Sequence, residues 1–72
     1  MALVYVVIEI TLDAHNNETN RISRSFDSKE AAADSIESVL SRYKDRGFDA
    51  DGRYWWGTAM NGDRSRFLIE VS

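Results

Sequence analysis

Arg53-Tyr54-Trp55-Trp56-Gly57-Thr58-Ala59-Met60-Asn61-Gly62-Asp63-Arg64-Ser65-Arg66-Phe67-Leu68-Ile69-Glu70 is the stretch on which the fold turns. It holds both tryptophans, and an Asn-Gly pair between two β-prone runs. Asn-Gly in that setting is the strongest short-range hairpin signal, because a two-residue type I′ turn needs positive φ at both central positions. With Asn61-Gly62 as the turn, Trp56 faces Phe67, Tyr54 faces Ile69, Trp55 faces Leu68 and Arg53 faces Glu70. Aromatic meets apolar and cation meets anion across the ladder. Adjacent strand residues point to opposite faces, so the two tryptophans serve different surfaces.

Residues 3–12 read as a first strand. Val4, Val6, Ile8, Ile10 and Leu12 line one side of it, and Tyr5, Val7, Glu9 and Thr11 the other. A strand this apolar belongs in the middle of a sheet. Asp13 to Glu18 is a polar turn, and residues 19–26 form a second strand whose arginines and serines suit an exposed edge. A three-residue loop would pair Ile8 with Phe26 and Leu12 with Ile22, and it is favoured because it keeps the stronger apolar face intact. A two-residue loop at Asn16-Asn17 would instead pair Glu9 with Arg24.

A helix follows. Asp27 with Glu30 makes a capping-box-like start, and Ala32, Ile36, Val39, Leu40 and Tyr43 form an apolar stripe. Early acids (Glu30, Asp34, Glu37) and late bases (Arg42, Lys44, Arg46) complement the helix dipole. Gly47 ends the helix, with Phe48 packed back on Tyr43 in a Schellman-type stop. Residues 49–52 are then loop.

The expected architecture is a single α+β domain over residues 1–72, β-β-α-β-β, with one helix on one face of a four-stranded sheet. The order 2-1-4-3 is favoured, with the first and last strands parallel; the all-antiparallel order 2-1-3-4 is the alternative. Tyr54, Trp56, Phe67, Ile69 and Val71 join Val4, Val6, Ile8 and the helix stripe in the core. Trp55, Leu68, Tyr5 and Val7 lie on the uncovered face, ringed by Arg53, Arg66, Glu9 and Glu70.

Composition narrows the function. A chain of 72 residues is near the size at which one core is marginally sufficient, and without cysteine neither disulfides nor thiolate metal sites can staple it. Hydrophobic content of 43% with 29% charged residues reads as globular. The net charge of -3 lacks the positive field of most nucleic-acid binders. Leu3 to Ile8 is too short to span a bilayer, and no cationic segment precedes it, so the expected location is the cytoplasm.

No phosphate loop, nucleophile elbow or histidine-acid metal spacing occurs. His15 sits in a turn, where Asp13 and Glu18 make a weak ligand set. Asp49 and Asp51 begin like a calcium loop, but the closing ligands are missing. No cofactor, no metal and no small-molecule substrate are expected, and no membrane partner. The aromatic cluster is the informative feature. Exposed apolar patches rimmed by charge usually mark interaction sites. The expectation is therefore a non-enzymatic module that binds itself, as a homodimer, or a protein partner, through Tyr5, Val7, Arg53, Trp55, Arg66 and Leu68. Single-stranded nucleic-acid binding through sheet aromatics flanked by Arg21, Arg53, Arg64 and Arg66 is the alternative, and a small stand-alone inhibitor is a third reading.

Overall fold

The computed structural model describes residues 3–71. Its elements in chain order are β1 (Tyr5–Leu12), β2 (Glu18–Phe26), α1 (Lys29–Leu40), β3 (Asp45–Asp49), β4 (Tyr54–Thr58) and β5 (Arg64–Val71). One sheet takes all the strands in the order β2-β1-β5-β4-β3, with every neighbouring pair antiparallel. The α+β class and the neighbour order of the four expected strands hold. The strand count is corrected from four to five, and the parallel pairing of the first and last strands is corrected to antiparallel. One cause explains both. Each pass through the sheet reverses the chain, so an unanticipated strand between the helix and β4 flips the direction in which β5 arrives beside β1.

That strand comes from residues expected to finish the helix. The helix stops at Leu40, and the N–H groups of Arg42 and Tyr43 donate to the carbonyls of Val39 and Leu40 as the last turn tightens. Tyr43 is then held to the sheet, because its hydroxyl lies 2.9 Å from the Ser65 hydroxyl, the one buried polar side chain described. Arg42, Lys44 and Arg46 therefore lie beyond the helix. Gly47 is no cap: it sits in β3 opposite Trp56. A Cβ at Gly47 would come within 2.8 Å of Trp56 Cζ2, so glycine is what lets the indole lie across the strand. Phe48 packs against Trp55, opposite it on β4, with ring centroids 4.8 Å apart and planes tilted by 57°. The helix start also moves by one residue. Ser28, not Asp27, is the N-cap, and its hydroxyl accepts from the Ala31 N–H at 3.1 Å.

Both long hairpins turn through three residues. In the second, the Gly62 N–H donates to the Ala59 carbonyl, the Ala59 N–H donates to the Asp63 carbonyl, and Gly62 alone has positive φ, at 94°. Asn61 is not left-handed, so the type I′ turn is corrected to a three-residue loop with a left-handed final residue. The first hairpin repeats this geometry. The Asn16 N–H donates to the Asp13 carbonyl, the Asp13 N–H to the Asn17 carbonyl, and Asn16 has φ 66°. The expected loop length is right there but its position is not. Tyr5 pairs with Phe26 and Glu9 with Ile22, and the register shifts between Thr11 and Leu12.

Moving the second turn by half a residue changes the faces. Trp55, rather than Trp56, now opposes Phe67, and Phe67 and Ile69 oppose Glu9 and Val7 on β1. A one-residue slip sends every side chain of a strand to the other side. The core is therefore Val7, Ala32, Ile36, Leu40 and Phe67, with Tyr5, Phe26, Val39, Tyr43, Trp55 and Ile69 packed around it. Phe67 and Ile36 are each 1% exposed. Phe67, Ile69 and Val71 are on the helix side as expected, although Val71 at its margin is exposed. Tyr54, Trp56, Val6 and Ile8, expected in the core, are corrected to the opposite face, and Val4, also expected there, is exposed ahead of β1.

Candidate interaction surface

The face of the sheet away from α1 has no second layer over it among the described residues. Alternation along β1 places Val6, Ile8, Ile10 and Leu12 there. The ladder adds Leu68 opposite Ile8, and a full row running Arg21, Ile10, Arg66, Trp56, Gly47 across all five strands. Val6, Ile8, Ile10, Leu68 and Trp56 are half-buried, shielded only by neighbours in their own sheet. The side of β1 with more aliphatic residues is thus the bare one. The helix covers the side that carries Tyr5, Val7, Glu9 and Thr11.

Charge surrounds this apolar spine. The Arg66 guanidinium lies 5.1 Å from the centroid of the Tyr54 ring, a cation–π contact on the bare side. Arg21 donates to Glu18 at 2.8 Å, and this hydrogen bond, reinforced by the carboxylate's charge, raises the arginine's pKa further. Both partners are solvated, so the pair orders the surface more than it stabilises the fold. Asp45 and Asp49 lie on the same side at the β3 edge, and Glu70 beside Val6.

Of the six residues expected to meet a partner together, Arg66 and Leu68 are on this bare face. Tyr5, Val7 and Trp55 are not. Val7 is buried under the helix at 5% exposure, which removes it from any docking surface of the folded chain. Tyr5, Trp55 and Arg53 instead meet at a groove on the helix side, with Lys29, Phe48, Ala50, Ile69 and Val71. The residues missed are Val6, Ile8, Tyr54 and Trp56, all assigned to the core, and Ile10, which was read on the same side of the first strand as Val6 and Ile8. A signal for the correct face was present in Gly57. A Cβ there would sit 2.7 Å from Tyr43 Cδ2 and 2.8 Å from Leu40 Cδ2, so the glycine marks where the helix end presses on β4. Gly57 shares its side with Trp55, not Trp56.

The turn between β3 and β4 is tightly organised. Asp49 Oδ1 accepts from the N–H groups of Asp51 and Gly52, each at 3.0 Å, and the Gly52 bond leads in holding the carboxyl below its usual range. Asp13 is lowered likewise, chiefly by the Asn17 N–H, which donates to Oδ1 at 2.9 Å. No group of three His, Cys, Asp or Glu residues among those described is placed to hold a metal ion. No helix among the described residues is long and apolar enough to cross a membrane. No protein-family model, curated protein or solved structure matches the chain.

Proposed function

We propose that this chain is a small interaction module that acts by binding rather than catalysis, with the bare sheet face as its contact surface and a second copy of the chain as its first partner. One observation carries the reading: the helix covers the side of β1 with fewer aliphatic residues, leaving Val6, Ile8, Ile10, Leu68 and Trp56 without a second layer. Fully burying a large apolar side chain is worth about 1.5–3 kcal/mol, a strong drive for a domain this small. The charges suit self-pairing. Arg21, Arg64 and Arg66 share the face with Asp45, Asp49 and Glu70, so a two-fold contact can set cations of one copy against carboxylates of the other.

Leu68→Glu tests this. Molar mass by light scattering should show a wild-type dimer at high micromolar concentration and a monomeric variant with the same circular dichroism. A wild type that stays monomeric removes the homodimer and leaves only a different protein partner. A variant that still dimerises moves the contact to a sheet edge, where β2 presents unpaired backbone groups along a largely exposed strand.

Single-stranded nucleic acid is the second reading, favoured by the meeting of Arg21, Arg64 and Arg66 with Tyr54 and Trp56 on one face. Against it, Arg66 already occupies the Tyr54 ring and Arg21 is paired. We expect oligonucleotide binding no tighter than roughly 10⁻⁵ M at physiological salt. Salt-sensitive quenching of tryptophan fluorescence at low micromolar concentration would put this reading first.

A further inference from the structure

The groove on the helix side is independent of the bare face. It is lined by the half-buried Tyr5, Trp55 and Ile69 and by Phe48 and Val71, which are 51% and 59% exposed. Its volume is about 460 Å³, within the range of small-molecule sites. Among the described residues the charged ones lining it are Lys29 and Arg53, and no Asp or Glu side chain is among them, although the chain carries a net charge of -3. An apolar trough whose described charged side chains are both cationic, in an acidic protein, selects for an apolar body with a negative head.

Arg53 adds a second observation. Its φ is 55°, in the left-handed region that a non-glycine residue occupies at a cost. Glycine would fit that position better, yet the turn's glycine stands one residue earlier. A Cβ at Gly52 would come within 2.3 Å of the Tyr54 ring, so close approach accounts for that glycine and nothing in the turn accounts for an arginine at 53. The groove does, because Arg53 supplies half of its charge.

We infer that this groove binds a small apolar monocarboxylate, with the aromatic or aliphatic body against Trp55, Phe48 and Ile69 and the carboxylate between Lys29 and Arg53. The probe is 4-phenylbutyrate at neutral pH, titrated into ¹⁵N-labelled protein carrying Trp56→Phe, so that the remaining indole reports on the groove alone. Saturable shifts are expected at Lys29, Phe48, Arg53 and Trp55, with a Kd of about 1 mM, the scale that suits a ligand this small in an open site. Arg53→Gly should relax the backbone and melt no lower than wild type, yet weaken binding about tenfold, as should Lys29→Gln. The neutral amide of the same acid should bind about tenfold more weakly than the acid. The inference is overturned if no saturable shift appears up to about 10 mM, if the shifts map to Ile8, Leu68 and residue 56, or if acid and amide bind alike. Shifts of the groove residues on dilution without ligand would assign the groove to a second copy and overturn it as well. Failure here leaves the bare-face dimer untouched, since Leu68 and the groove lie on opposite sides of the sheet.

Discussion

The two faces of this sheet are cut from the same strands and hold comparable apolar material, yet only one is covered. On the covered side, Val7, Phe67, Ile69 and Trp55 meet Ala32, Ile36 and Leu40. On the bare side, Val6, Ile8, Ile10, Leu68 and Trp56 meet neighbours in their own sheet, with no second layer over them among the described residues. Apolarity does not decide between them. Position does. The helix leaves the sheet next to Phe26, which is paired with Tyr5, and the Tyr43–Ser65 hydroxyl contact pins its far end over β5. The side so covered becomes the core, and the other is left for water or a partner.

Two consecutive residues of β5 test this contrast most severely. Phe67→Ala should cost about 3–5 kcal/mol, because the hole it leaves under the helix is closed on all sides. Leu68→Ala should cost about 1 kcal/mol or less when measured at low micromolar concentration, where any dimer has dissociated. Urea denaturation of both variants gives the values. Equal losses would mean that the bare face is covered after all.

Next come two glycines with nearly equal clearances and different neighbours. Gly57→Ala drives a methyl into Tyr43 and Leu40, both locked by the helix end, and should cost about 1–3 kcal/mol. Gly47→Ala meets the Trp56 ring at a similar distance, but that indole can swing into solvent. Its cost should stay below about 1 kcal/mol. Thermal melts of the pair would reverse this ranking only if Trp56 were the buried indole.

The smallest effect lies at the rim. Asp49 and Asp13 each have a folded-state pKa below the usual carboxylate value of 3.8, held there by backbone N–H donors. The sign follows from linkage. A lowered folded pKa contributes stability that is fully present above the unfolded value and is lost as pH falls through the folded one. Stability should therefore decline below about pH 4, and Asp49→Asn, which keeps the acceptor oxygen but not the charge, should flatten that decline. Melting temperatures from pH 2 to pH 6 check it. An unchanged acid limb would show that the Asp49 carboxylate has no lowered pKa in solution.

Much of the architecture was legible in residues whose chemistry has one outlet. The apolar spacing of Ala32, Ile36 and Leu40 reads as a helix face, and β1 is too apolar for an edge. What failed was half-residue precision. Asn61-Gly62 carries the same composition whether the loop holds two residues or three, and only the positive φ of Gly62 without one at Asn61 separates the cases. From that ambiguity the faces of β1 and β4 followed wrongly, and with them most of the expected contact residues. Strand β3 was hidden for a different reason. Asp45-Arg46-Gly47-Phe48-Asp49 has little strand propensity of its own, and it pairs because Trp55 and Trp56 offer Phe48 a ring and Gly47 a cover.

The pairing of Tyr5 with Val71 has a consequence for the molecule as a polymer. Opposed residues of an antiparallel ladder stand about 5 Å apart, so the outer ends of β1 and β5 are as near as the two arms of any hairpin. A turn of two to five residues could close them into a ring. Opening that ring at the exposed Met60-Asn61-Gly62 loop would yield a permuted chain, running β5, β1, β2, α1, β3, β4, with every neighbour in the sheet unchanged.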